Sequence, residues 1–141
     1  LSDRVDLALV SGVDGVHLKD RGIPPAALPE ELRARWLVGV SRHDEDGLAR
    51  AGGADYATLS PYRETASKPG QPGLGLERLR GLMGSSPVPV LALGGIRVED
   101  LPELLAAGVA GVAVSSGIFA SGDPVASAGT YAQALREARR A

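Results

Sequence analysis

Gly108-Val109-Ala110-Gly111-Val112-Ala113-Val114-Ser115-Ser116-Gly117 is the stretch that decides the fold. It reads as a helix end, a tight turn, a short strand and a second turn built from small residues. The first glycine suits the left-handed position that closes a helix. The run after it suits a strand covered on both faces, as parallel sheets require. Two earlier passages repeat the pattern, Gly12-Val13-Asp14-Gly15-Val16-His17-Leu18 and Gly53-Ala54-Asp55-Tyr56-Ala57-Thr58-Leu59. Trp36 to Ser41 and Val88 to Leu93 supply a strand in each interval, which makes five candidate strands.

Helical stretches are expected between them at 24–35, 44–51, 76–83 and 98–107, with a last one at 124–140 and a first at 4–10. Glu99 and Asp100 fall in a first helical turn, where the dipole favours negative charge. Strict alternation of strand and helix at about twenty residues per step argues for parallel βα units, in a TIM barrel or a doubly wound sheet. The barrel is preferred. A whole (β/α)₈ barrel takes about 250 residues and eight strands, so five strands cannot close it. Either upstream residues are absent, a partner completes the ring, or the sheet is open, and the first is the expectation adopted. Residues 1–141 are read as one domain, the C-terminal five βα units of such a barrel.

Composition narrows the function classes. Nineteen glycines and ten prolines sit beside 44% hydrophobic residues in a chain of 141, which means many turns around one real core. With no cysteine, disulfides, thiolate metal sites and a cysteine nucleophile are excluded; a reducing cytoplasm is the expected location. A net charge of −2 gives no global field to hold nucleic acid, so any phosphate must be gripped locally. The uncharged run from Leu104 to Gly122 is divided by Gly108, Gly111 and Gly117 and reads as helix end, strand and turn instead of a membrane span. No basic-then-apolar signal segment opens the chain. Position 1 is Leu, and the sequence is expected to start mid-fold.

The chemistry is expected where the last two strands end. Gly94-Gly95 follows Leu93 and Ser115-Ser116-Gly117 follows Val114, so two turns poor in side chains would lie side by side and expose backbone N–H groups to a phosphate. The bland alternative is two tight turns with no ligand. Ser60 to Gly75 is longer than ordinary connections and carries Thr65, Ser67 and Lys68, suited to closing over an anionic ligand; a solvated loop lysine is the alternative. His43 lies just past Ser41 at a strand end, where a neutral imidazole can act as acid or base, or merely cap a helix. His17 is read as structural, because Val16 and Leu18 place it inside a strand. Asp3 is either a catalytic or metal-ligating carboxylate or the cap of the first helix.

Together, Ser-Asp-Arg-Val-Asp-Leu-Ala-Leu (2–9), Asp-Gly-Val-His-Leu (14–18), Gly-Val-Ser-Arg-His (39–43), the Thr-Ala-Ser-Lys-Pro-Gly loop, Ala-Leu-Gly-Gly-Ile (92–96) and Ser-Gly-Ile-Phe (116–119) resemble the thiamine-phosphate synthase and thiazole tautomerase superfamily. The resemblance covers nearly the whole chain but only that family's last five βα units. For a synthase it implies that Mg²⁺-pyrophosphate leaves the hydroxymethylpyrimidine as thiazole phosphate attacks. Lys68, Thr65 and Ser67 then match pyrophosphate-loop residues, Ser41 a polar active-site residue, and Gly95 and Ser116 the grip on thiazole phosphate. Three departures accompany it: a metal-binding Asp expected after the His-Leu strand falls on Gly22, an Asn expected before Asp3 is Ser2, and the pyrimidine-side basic residues are absent.

For a tautomerase the resemblance implies no metal and no cofactor, with His43 as the proton shuttle that moves a thiazole double bond. Arg63-Glu64-Thr65 and Ser116-Gly117-Ile118-Phe119 look closer to that branch. The expectation is therefore a tautomerase-like isomerase with catalytic His43, Ser41 and Lys68, and with phosphate held by Gly94, Gly95, Ser115, Ser116, Thr65 and Ser67. The alternative is the synthase, with Mg²⁺ on Asp3; a second alternative is a noncatalytic binder of a phosphorylated metabolite. The expected partner is a small phosphorylated thiazole, not nucleic acid or membrane, and a homo-oligomer is left open.

Overall fold

Gly12, Gly53 and Gly108 all take left-handed backbone, with φ of 64, 87 and 99°. The repeated turn is thus real: at Gly12 and Gly108 the chain leaves a helix through a residue that tolerates positive φ, while Gly53 lies in the turn beyond a helix capped by Arg50. At Gly53 a further constraint acts, because a Cβ there would lie 2.9 Å from the Ala26 backbone nitrogen.

A computed structural model describes residues 1–65 and 69–140 of the chain. Its strands are β1 (Gly15–Leu18), β2 (Leu37–Arg42), β3 (Tyr56–Leu59), β4 (Val90–Leu93) and β5 (Gly111–Ala113). They form one parallel sheet in sequential order, β1-β2-β3-β4-β5. The helices are α1 (Val5–Ser11), α2 (Glu30–Arg33), α3 (Glu45–Ala49), α4 (Gly75–Leu82), α5 (Leu101–Ala106), α6 (Ser116–Phe119) and α7 (Pro124–Ala138). Short 3₁₀ turns at Pro25–Ala27 and Val98–Asp100 precede α2 and α5.

Two expected helices are divided. The stretch 24–35 breaks at Pro29, which cannot donate to the preceding turn. The stretch 98–107 begins as 3₁₀ and becomes α-helical at Leu101, with Pro102 in the first turn, where its missing N–H costs nothing.

The described residues form two compact units, Leu1–Leu59 with Gly84–Val90, and Ser60–Met83 with Leu91–Ala141. In the first, Val16 and Leu18 of β1, Val38 and Val40 of β2, and Leu48 of α3 are buried. Val16 and Leu18 alternate with half-buried neighbours, whereas 38–40 is buried without a break, as a strand covered on both faces requires. In the second, Leu79, Leu101, Leu104 and Ala92 form the core. No helix among the described residues is long and apolar enough to cross a membrane.

Candidate functional site

In the second unit the turns after β4 and β5 line one cavity of about 380 Å³. Its walls include Gly94, Gly95, Ser115, Ser116, Gly117 and Thr65. The expected phosphate residues are thus brought together, apart from Ser67, which with Lys68 lies outside the described residues.

The glycines here answer to close backbone approach. Tyr62 N–H donates to Leu93 O at 2.8 Å and Arg63 N–H to Gly94 O at 2.9 Å, so residues 61–63 run against the end of β4. A Cβ at Gly94 would meet Pro61 Cα at 2.9 Å, and one at Gly95 would meet Arg63 Cβ at 2.8 Å. Both glycines also have positive φ, 100 and 66°. Across the cavity Gly117 leaves room for Tyr131, whose hydroxyl donates to Ile96 O at 2.9 Å. The walls are backbone, small side chains and the apolar Leu93, Ile96 and Val114, with no charge among them.

Behind it lies a polar brace that sequence reasoning missed. Asp100 is 3% exposed; its carboxylate accepts from Arg63 Nε, from one terminal Arg63 nitrogen and from the Arg97 N–H at 2.8 Å. The Asp100 hydrogen bond holds the Arg63 guanidinium above its ordinary range. Tyr62 donates to Glu103 Oε1 at 2.9 Å; burial first, then that bond, pushes the phenol up to about 12. The guanidinium of Arg63 stands 5.0 Å over the Tyr62 ring. The only sequence signal for this brace was an acid in the first turn of a helix.

In the first unit, one rung of the sheet runs His17, Gly39, Tyr56, set by the parallel register. Gly39 permits the meeting, because a Cβ there would lie 2.5 Å from both His17 Nδ1 and the Tyr56 hydroxyl. His17 Nδ1 is 3.3 Å from that hydroxyl and Nε2 is 3.0 Å from Ser41 Oγ. Ser41 is two residues past Gly39 and so shares its face. Burial lowers the His17 pKa, which favours the neutral ring. Half-buried His43 follows β2, and the helix cap next to it belongs to Asp44, whose carboxylate accepts from Gly47 N–H at 2.7 Å.

Asp3 does not cap α1. Arg4 occupies that position without a side-chain cap, while Asp3 has φ 59° and reaches the end of β1. There it accepts the Lys19 N–H at 3.1 Å, and the Lys19 ammonium stands 3.6 Å from the other oxygen. Local spacing suggested a cap; the contact that wins is long-range.

The donor set does not fit a resident divalent ion. Mg²⁺ sites take one or two carboxylates plus substrate phosphates, and here Asp3 and the next acid, Asp20, are each paired with a cation from the chain itself. A Cβ at Gly22 would lie 2.5 Å from Asp3 Oδ1, and position 22 brings no second carboxylate to it. Asp20 is engaged by the Arg42 guanidinium at 3.4 Å. Among the described residues no group of three or more metal-binding side chains occurs.

The thiamine monophosphate synthase (TMP-TENI) family matches residues 1–118. A protein from Geobacter sulfurreducens, named "Putative thiamine-phosphate synthase", is 46% identical over 128 residues, which are 88% of this chain and 60% of that protein. The thiamine-phosphate synthase of Mycobacterium bovis is 38% identical over 142 residues, 98% of this chain and 64% of its own length. The chain thus spans about three-fifths of the length of these curated relatives. A thiamine phosphate pyrophosphorylase structure from Pyrococcus furiosus superposes with a TM-score of 0.79 at 31% identity, covering 97% of this chain and 66% of that one. The structural neighbours are TIM-barrel-like.

These findings overturn the tautomerase-like isomerase. Relatives matching at 37 to 46% identity carry synthase names, and no match singles out the tautomerase branch. The structure supplies the physical reason the loops misled. Arg63, counted toward that branch, is bound to buried Asp100 and braces the scaffold. A Gly/Ser cradle is what either chemistry would require for its phosphate, so it cannot separate the two. With strand order, turn chemistry and sequence all in agreement, this chain belongs to the thiamine monophosphate synthase family.

Proposed function

We propose that this protein works as a thiamine-phosphate synthase, joining thiazole phosphate to hydroxymethylpyrimidine diphosphate with release of pyrophosphate. The observation that carries this reading is the cavity lined by Gly94, Gly95, Ser115, Ser116 and Gly117, in a chain 46% identical to a relative of that name. Backbone N–H groups and serine hydroxyls there suit a monoester's oxygens, and the glycines leave the backbone open to a ligand. The 380 Å³ volume lies within the range of small-molecule sites.

The thiazole nitrogen attacks the methylene carbon of the pyrimidine as the carbon–oxygen bond to pyrophosphate breaks. The nitrogen's lone pair forms the new bond, and the departing oxygen keeps the electrons of the old one. In this reading the cavity holds the nucleophile by its phosphate, and Thr65, Ser67 and Lys68 approach the leaving diphosphate. Ser41, linked to neutral His17, supplies a hydroxyl donor at the end of β2. No role falls to His43.

The reading extends to the architecture. Three further βα units would complete a (β/α)₈ barrel. The relatives' greater length and a parallel bridge from Ser2 to His17 on the outer edge of β1 both support this.

Incubation with both substrates, with chromatographic detection of thiamine phosphate and pyrophosphate, tests the assignment. Equal amounts of the two products are expected. Binding of thiazole phosphate without product would leave the noncatalytic binder in its place.

A further inference from the structure

At the end of β1 an acidic side chain is held in an unusual way. Asp3 is the one described residue other than glycine with positive φ, 59°, a conformation that costs roughly 1–2 kcal/mol in an L-residue and is best tolerated by Asn and Asp. Lys19 meets its carboxylate twice: the ammonium stands 3.6 Å from Oδ2, and the backbone N–H donates to Oδ1 at 3.1 Å. Gly22 closes over the same oxygen, with space for no side chain. The next acid, Asp20, is turned toward Arg42, a guanidinium only 4% exposed that also donates to Ser41 O and Arg50 O. Both carboxylates of this corner therefore have cationic partners from the chain itself.

We propose that this corner is a cation site filled by the protein's own ammonium, and that Lys19 is the group that meets the substrate diphosphate there in place of a resident divalent ion. The choice of diphosphate as ligand rests on the synthase reading; the ammonium's occupancy of the corner does not. Three features carry the proposal. The Lys19 side chain is 71% exposed, so an anion can reach it from solvent. An ammonium has three donors and Asp3 engages one side of it, leaving the others for phosphate oxygens. The pairing is long and exposed, hence weak, so little is lost when the ammonium shifts toward an anion.

Inorganic pyrophosphate titrated calorimetrically into the protein, with EDTA present, reads the lysine directly. Wild type is expected to bind, and Lys19→Met to bind about tenfold or more weakly, the loss of one charge-assisted hydrogen bond to phosphate. Mn²⁺ titration followed by electron paramagnetic resonance reads the other half. No saturable site is expected in wild type up to millimolar ion, and none in Asp3→Asn, which keeps a residue tolerant of positive φ and so should fold. Three outcomes would overturn the proposal: a stoichiometric Mn²⁺ site lost in Asp3→Asn, no pyrophosphate binding by wild type, or equal binding by Lys19→Met. Lys19-dependent binding in a protein that makes no thiamine phosphate would sink the synthase reading alone. Thiamine phosphate made by a protein whose pyrophosphate binding ignores Lys19 would sink this proposal alone.

Discussion

Asp100 and His17 show how single side chains in this protein depend on partners far along the chain. The Asp100 carboxylate accepts from Arg63 Nε, from one terminal Arg63 nitrogen and from the Arg97 N–H in a nearly dry position. Asp100→Asn removes the charge but keeps the volume. Because the Arg63 side chain is 42% exposed and recovers water, the expected loss is about 2 kcal/mol, below that of a fully buried pair. Urea denaturation measures it. His17 sets a pH dependence. Its folded pKa is lowered by burial, so the unfolded chain takes up the proton first. Stability is therefore full above the unfolded value of about 6.5 and falls as the solution is acidified through it. His17→Gln should flatten urea midpoints between pH 7.5 and 5; an unchanged slope would mean that the ring titrates alike in both states.

At the scale of elements, the glycine turns were the most legible feature and give the sharpest contrast. Gly12 and Gly53 both have positive φ, but a Cβ at Gly12 meets nothing within 4 Å, while one at Gly53 strikes the Ala26 backbone at 2.9 Å. Gly12→Ala should cost about 1 kcal/mol from backbone strain alone. Gly53→Ala should cost about 3 kcal/mol, because a backbone neighbour cannot swing aside. Similar denaturation midpoints for the two would show that the close approach at Gly53 relaxes freely. Strand positions were readable because a strand buried on both faces needs an unbroken apolar run, as Val38 to Val40 supplies. The division of 24–35 was legible too, since Pro29 is plain in the sequence, but the helical reading ran through it. Asp3 was not legible. Its spacing fits a cap, and only the return of the chain at Lys19 decides otherwise. The rung joining His17, Gly39 and Tyr56 needs the register of three strands, which no local pattern encodes.

For the whole molecule, sequence carried the family and the cradle but not the choice between its chemistries. Gly94, Gly95, Ser115 and Ser116 line one cavity as their positions after successive strands suggested, yet a phosphate grip is common to isomerase and transferase. The similarity to named synthases favours the transferase. A net charge of −2 leaves no long-range field to gather phosphates, so the proposed function rests recognition on the cradle itself. Ser116→Asp tests this most directly. It puts a carboxylate into the cavity at the first residue of α6, an exposed position near positive backbone dipoles, so folding should be unharmed. The measurement is steady-state kinetics with each substrate varied in turn. The KM for thiazole phosphate should rise about tenfold or more while that for the pyrimidine diphosphate stays within about twofold. An unchanged thiazole phosphate KM, or an equal rise in both, would contradict the assignment of this cavity to the thiazole monoester.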